Sequence, residues 1–285
     1  MATRREIFMQ LVAVAGECYP EVEERQIAEM ILLSKGHISR NDLFIEPNVE
    51  LQIPELESIF EELRAWRPVQ YIVGRAEFVD MELAVREGVL IPRPETEELV
   101  DWVAREAKSG AHILDVCTGS GCIAIALKRM VKNSEVWAMD LSREALAIAR
   151  ENGAEYAPDV RFVEGDALSD FSSHFEGVMF DVIVSNPPYI PDSDRQLMRP
   201  NVTEHEPDMA LFVEDGDPLV FYRAIARCGR KMLNVDGRLY FEIYELLVEE
   251  MMSMLEAEGY ADIVVREDFR GKPRMICARV SSIAR

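Results

Sequence analysis

The sequence predicts a mostly parallel, doubly wound α/β sheet preceded by a small helical bundle. Two observations lead there. From residue 111 onward, short apolar runs alternate with amphipathic stretches of helical period, the pattern of repeated βα units. Before residue 67 the apolar residues fall into stripes of three- and four-residue spacing, so helices are expected. The length of 285 residues suits about two domains, and 48% hydrophobic with 29% charged residues allows a sizeable core.

The elements follow in order. Arg4–Glu17 sets Ile7, Phe8, Leu11, Val12 and Ala15 on one helical stripe. Pro20 opens a second helix carrying Val22, Ile27, Met30 and Ile31, which stops near Gly36. Asn41–Phe44 reads as a capped turn, and Pro54 starts a helix with Leu56, Ile59, Phe60 and Leu63 on one face. Helices this short need one another to bury their stripes. Glu77–Val85, followed after Gly88 by Val89–Ile91, suggests a β-hairpin bridging two domains. The prolines of Ile91-Pro92-Arg93-Pro94 hold the backbone extended until a helix begins near Thr96. Strands are expected at His112–Val116, Glu135–Met139, Val160–Val163, Phe180–Val184 and Arg238–Ile243. Between and after them lie helices at Ile123–Met130, Ser142–Asn152, Leu219–Leu233 and Glu245–Glu258. Two closing strands, near Asp262–Val265 and Met275–Val280, have only a loop between them and should be antiparallel.

Charge narrows the partners. The net charge is −21, and neither half hides a basic region: residues 1–75 carry 8 basic against 13 acidic side chains, the rest 23 against 39. Binding to nucleic acid or an anionic membrane is disfavoured, because neutralising phosphates needs basic surface. No apolar run reaches the roughly 18 residues that span a bilayer, and the N-terminus reads as a helix start instead of a signal peptide. A cytoplasmic protein, most simply a monomer, is expected. Five scattered cysteines without a C-x-x-C pair read as reduced, mostly buried thiols.

Two motifs carry chemistry. Asp115-Val116-Cys117-Thr118-Gly119-Ser120-Gly121-Cys122 follows the first strand of the sheet and opens a helix, where small residues let a ligand approach the backbone. Its spacing differs from the dinucleotide G-x-G-x-x-G. Asp140 ends the next strand, where a carboxylate can accept both hydroxyls of a ribose. Together they suggest a nucleoside-bearing cofactor without pyrophosphate, for which S-adenosylmethionine is the natural candidate. A structural strand-to-helix turn would show the same glycines. Ser185-Asn186-Pro187-Pro188-Tyr189 follows the fourth strand and so reaches the same sheet rim. The Asn186 side-chain oxygen and the Pro187 carbonyl are two acceptors that can hold both hydrogens of a planar NH₂. Such a grip bends a poorly nucleophilic nitrogen toward sp³ and aims its lone pair, while Tyr189 can lie against the flat group. A rigid Pro-Pro loop with a buried tyrosine is the bland alternative. Gly165-Asp166-Ala167 closes the third strand and can reach an adenine edge, or Asp166 can simply cap a turn. His205-Glu206-Pro207 lacks the second histidine of a zinc motif. Glu242 and Glu245 read as solvated strand-end acids, and Met251, Met252 and Met254 as core.

With these segments in hand, the chain resembles the N5-glutamine methyltransferases of peptide chain release factors over nearly its whole length. The resemblance rests on Asn186–Tyr189 together with Arg67-Pro68-Val69-Gln70-Tyr71-Ile72-Val73-Gly74, Leu90-Ile91-Pro92-Arg93-Pro94-Glu95-Thr96-Glu97, His205-Glu206-Pro207-Asp208-Met209-Ala210-Leu211 and Gly271-Lys272-Pro273-Arg274. It implies a helical domain over residues 1–75, read as recognising the release factor or else simply covering one flank of the sheet, a β-hairpin linker over 76–92, and a class I, Rossmann-like methyltransferase domain with a seven-stranded sheet over 93–285. It implies that S-adenosylmethionine, leaving as S-adenosylhomocysteine, is held by Cys117, Thr118, Gly119, Ser120, Gly121, Asp140, Asn186 and either Asp166 or Ala167. It further implies that Asn186, Pro187, Pro188 and Tyr189 hold the glutamine of the release factor's Gly-Gly-Gln loop, with Asn186, Pro187 and Tyr189 catalytic. The chain departs from the family at Cys117, often Gly, at Asp217-Pro218, usually Asp-Gly, and at Tyr244, often Gly; the last can narrow a pocket or partner surface. Asn-Pro-Pro-Tyr is shared with methyltransferases acting on exocyclic adenine or cytosine nitrogen, the alternative that the acidic surface opposes. A non-catalytic adaptor would lack the need for both motifs.

Overall fold

In the computed structural model, which describes residues 2–280, helix α1 (Arg4–Ala15) starts from a reciprocal cap. The Thr3 hydroxyl accepts the Glu6 N–H, and the Glu6 carboxylate accepts the Thr3 N–H at 2.7 Å. The chain divides into two units: one holds residues up to Arg75 with Val85–Glu87 and Met198–His205, the other Ala76–Ala84, Gly88–Leu197 and Glu206 onward.

The first unit is helical: α1, α2 (Glu21–Lys35), α3 (Arg40–Ile45), α4 (Leu56–Arg64), α5 (Val69–Val73) and, in its later segment, α9 (Pro200–Thr203). The stripes meet in one core, Ile7, Leu11 and Ala15 of α1 against Ile27, Ile31 and Leu32 of α2 and Ile59, Phe60 and Leu63 of α4. Val22 departs from expectation and is 71% exposed. At five residues before Ile27 it lies well around the helix from that face. The expected turn at Asn41–Phe44 is helical, because Ser39 and Asp42 cap each other across its first turn.

From Ala76 the second unit takes up a hairpin of β1 (Arg75–Phe78) and β2 (Met81–Ala84). It turns on Val79 and Asp80, both left-handed at φ 45° and 57°, the backbone that a two-residue hairpin loop requires. Val89–Ile91 form no strand, contrary to the sequence reading. Helix α6 (Pro94–Glu106) starts earlier than Thr96 because Pro94 sits in its first turn, where a missing N–H costs nothing. The βα units are β3 (His112–Val116), α7 (Cys122–Met130), β4 (Glu135–Asp140), α8 (Arg143–Tyr156), β5 (Arg161–Glu164) and β6 (Phe180–Ser185). A small parallel pair, β7 (Ile190–Pro191) with β8 (Phe212–Val213), stands apart from the main sheet. The unit closes with α10 (Val220–Met232), β9 (Leu233–Glu242), α11 (Val248–Ala257), β10 (Tyr260–Glu267) and β11 (Pro273–Val280).

Seven strands join in the order β10-β11-β9-β6-β3-β4-β5. The five from β9 to β5 are parallel, while β11 runs antiparallel to both β9 and β10. Successive residues face opposite sides, as the two-residue period of a strand demands. Leu114, Val116, Ile183 and Phe241 pack with α10 and α11, whereas Ile113, Val182, Val184 and Tyr240 pack with α6 and α7. Met251 and Met254 are buried in the first of these layers. Buried Asn152 of α8 ties three pieces together: its Oδ1 accepts the Ala84 N–H at 2.7 Å, and its Nδ2 donates to the Ala84 and Ser120 carbonyls. All five cysteines are free thiols. No helix among the described residues is long and apolar enough to cross a membrane.

Candidate active site

The strand order creates the site. From β3 the chain moves out to β4 and β5, then returns to β6 on the other side of β3. Connections at such a reversal leave to opposite faces and open a crevice at the carboxyl ends of the strands. Val116 and Ser185 are register partners there, so the glycine loop and the Asn-Pro-Pro-Tyr loop start side by side. A cavity of about 310 Å³ lies above them. Of the residues expected from sequence, Cys117, Thr118, Gly119, Ser120, Asp140, Asp166, Ala167, Asn186 and Pro188 line it; Gly121, Pro187 and Tyr189 do not.

Backbone geometry explains the glycine loop. Cys117 has φ 61°, a left-handed conformation natural to glycine and strained for a residue that carries a Cβ. Gly119 (φ +56°) faces open space, with no atom within 4 Å of a built Cβ. Gly121 (φ +83°) instead precedes α7, and a Cβ there would lie 3.0 Å from Ile125 Cδ1 and 3.2 Å from Ala149 Cβ. The two glycines should therefore separate on substitution. Gly119→Ala is expected to lose about 1–2 kcal/mol of stability, the left-handed penalty alone. Because Gly119 lines the cavity, the added methyl group should weaken a ligand seated there about tenfold or more. Gly121→Ala adds overpacking to the same penalty and loses about 2–4 kcal/mol. Denaturant melts and titration calorimetry separate the two outcomes.

Three acids surround the loop. Asp115 is fully buried, and one carboxylate oxygen accepts from the Thr118 hydroxyl at 2.5 Å and the Ala124 N–H at 3.2 Å. Its other oxygen, Oδ1, has no partner among the described residues. Burial pushes its carboxyl up to about 7. Between the ordinary aspartate value and 7 the folded chain thus holds a proton that the unfolded chain has released, and stability falls as pH rises through that window. Urea melts of the ligand-free protein at pH 5 and pH 8 should show Asp115→Asn removing a loss on the order of 2–3 kcal/mol. Asp140, at the end of β4, accepts the Gly119 N–H at 2.8 Å and the Ser142 N–H at 2.9 Å, one on each oxygen. Burial raises its pKa despite those bonds. Asp166 Oδ1 caps a turn by accepting the Leu168 N–H at 2.8 Å, and Ala167 beside it is buried.

Sequence reasoning missed the other wall. Val89, Leu90, Pro92, Arg93 and Thr96 line the cavity from the segment ahead of α6 and its first turn. Buried Glu206 holds that segment by accepting from the Ile91 N–H at 2.9 Å and from Arg93 Nη2 at 2.6 Å. Glu242 corrects a reading outright: it is 2% exposed, not a solvated strand-end acid. Its carboxylate accepts from the Thr96 hydroxyl at 2.6 Å and the Tyr189 hydroxyl at 3.1 Å. Burial raises its pKa, against the pull of those two hydroxyls and of Arg274. Asn186 Nδ2 donates to Thr96 Oγ1 at 3.2 Å. Tyr189 stacks on Tyr244 at 6.1 Å between ring centroids, and Tyr244 donates to Asp194 at 2.5 Å. The signal for Glu242 was present: an acid set between Phe241 and Ile243 in an apolar strand demands a buried partner.

Known proteins are similar to this sequence across almost its full extent. The release factor glutamine methyltransferase of Bacteroides thetaiotaomicron is 41% identical over 265 residues, covering 92% of this chain and 95% of that one. This chain belongs to the release factor glutamine methyltransferase family. The namesake from Flavobacterium psychrophilum is 38% identical over 275 residues, covering 94% of this chain and 95% of the relative. A model described as a methyltransferase domain matches residues 113–204. A crystal structure of a methyltransferase from Pyrococcus furiosus superposes with TM-score 0.52 at 16% identity, over 71% of this chain and 90% of the other, so the sheet is that of a class I methyltransferase fold. The cofactor of such an enzyme is S-adenosylmethionine, and the residues present suit it. The methyltransferase has the Asp140 carboxylate on the cavity wall. It also has apolar Leu141, Leu168 and Phe221 along the cavity and an open approach at Gly119.

Proposed function

We propose that this enzyme transfers a methyl group from S-adenosylmethionine to the side-chain amide nitrogen of the glutamine in the Gly-Gly-Gln loop of peptide chain release factors. The observation that carries the reading is the likeness to release factor glutamine methyltransferases over more than nine-tenths of the chain. When bound, S-adenosylmethionine supplies a methyl group on a positively charged sulfur. In this reading Cys117–Gly121 and Asp166 or Ala167 cradle it, and Asp140 takes the ribose hydroxyls. The Asn186 side-chain oxygen and the Pro187 carbonyl take the two hydrogens of the glutamine NH₂. That hold favours a pyramidal nitrogen whose lone pair would form the new bond as the methyl–sulfur bond breaks, and it places partial negative charge beside the N–H proton that would then pass to solvent. Pro187 and Pro188 keep the acceptors rigid, and the Tyr189 ring supports the flat amide. Asn186 on the cavity wall supports this assignment. The helical segment over residues 1–75 recognises the release factor in the same reading, and exposed Phe44 and Ile45 offer it apolar surface.

Mass spectrometry of purified release factors tests the proposal. After incubation with enzyme and isotopically labelled cofactor, a gain of one methyl on the loop glutamine is expected. A release factor left unmodified by active, cofactor-binding enzyme would overturn it.

A further inference from the structure

Asn and Gln side chains present an acceptor at one end and a donor at the other, so an amide works as an acceptor only when something holds it the right way round. Glu242 ends β9 one residue past Phe241, the register partner of Ser185, and this brings it beside Asn186. Each of its oxygens is engaged by a hydroxyl, Oε2 by Thr96 at 2.6 Å and Oε1 by Tyr189 at 3.1 Å. In its ionised form, which the two hydroxyls and Arg274 favour, Glu242 cannot donate. The single hydroxyl hydrogen of Thr96 is therefore spent on Glu242, and only lone pairs remain for the Asn186 amide 3.2 Å away. The end of that amide facing Thr96 must be its NH₂, which turns Oδ1 away from Thr96.

We propose that Glu242 is a positioning residue that acts through Thr96 to fix the direction of the Asn186 amide, leaving its oxygen free to accept the substrate NH₂. This rests on the reading that Asn186 grips the substrate. Replacing Glu242 by glutamine supplies a donor to Thr96, releases the hydroxyl hydrogen, and makes the reversed amide equally comfortable. Thr96→Val removes the hydroxyl at nearly constant shape, and Thr96→Ser keeps it.

The test uses the full chain, full-length release factor and S-adenosylmethionine, with kcat, KM and calorimetric cofactor affinity measured for each variant. Thr96→Val and Glu242→Gln are each expected to lower kcat about 10- to 100-fold, while KM and cofactor affinity stay within about threefold. Thr96→Ser recovers most of the turnover lost in Thr96→Val. Glu242→Gln added to Thr96→Val costs less than about threefold more, because the two act along one line. Should Glu242→Gln fail to fold, the valine and serine variants decide alone. Asn186→Ala separates the two levels. If it leaves kcat unchanged, the substrate grip itself is wrong and the inference falls with it. If it cripples turnover while Thr96→Val does not, or if the Thr96 and Glu242 effects multiply in full, the positioning role is overturned and the grip stands.

Discussion

Asn186→Ala is expected to lower kcat about 10²- to 10³-fold, the cost of removing one hydrogen-bonding group aimed at developing charge. Cofactor affinity should fall far less than kcat, because Asn186 is one of many residues expected to hold the cofactor and the others are untouched. The physical reason lies in timing. An amide nitrogen shares its lone pair with the carbonyl and gains nothing from being held flat; the bond to Asn186 strengthens only as the nitrogen pyramidalises and its hydrogens become acidic. Such an interaction belongs to the transition state and shows in kcat instead of KM. Single-turnover rates with saturating cofactor measure it. Wild-type turnover in the alanine variant would remove Asn186 from the mechanism.

Asp140→Ala should raise the dissociation constant for S-adenosylmethionine about 10- to 100-fold, since hydrogen bonds to a charged group are worth about 1.5–3 kcal/mol. The same change frees the Gly119 and Ser142 N–H groups that the carboxylate now holds, so a modest loss of stability accompanies it. Asp140→Asn keeps the shape and isolates the charge. Because burial raises the Asp140 pKa, protonation sets in at higher pH than for an ordinary aspartate. Wild-type affinity should weaken as pH falls through that raised value, as the carboxylate gives way to a poorer acceptor. The asparagine variant should lack this component. Calorimetric titration across the acidic range checks both, and native affinity in Asp140→Ala would exclude it from ribose binding.

Much of the molecule was legible in the order of residues. The stripe of Ile27 and Ile31 marked α2, and the apolar run His112–Val116 marked β3, because periodicity is a property of near neighbours in the chain. The capping pair at Ser39 and Asp42 was also local, though Asn41–Phe44, which lie within the six-residue helix α3, were read as a turn. The hairpin was misjudged at its second half: Val89–Ile91 have strand-like side chains, yet the loop at Val79 and Asp80 had already closed the pair. Asn186 and Asp140 could be placed on one rim, since any strand that ends a βα unit delivers its last residue there.

Which residues meet across that rim was settled only by tertiary structure. Thr96 and Glu242 are 146 residues apart in sequence and Thr96 and Asn186 are 90 apart, and they touch because β9 lies next to β6. Arg93 and Glu206 likewise join segments with no local reason to meet. The sequence by itself determined the elements, the two loops and the kind of chemistry they can hold, all consequences of short-range pattern. Strand order determined the burial of Glu242 and the direction of its hydrogen bonds, since burial depends on what the folded chain stacks around a side chain and no short window contains that information.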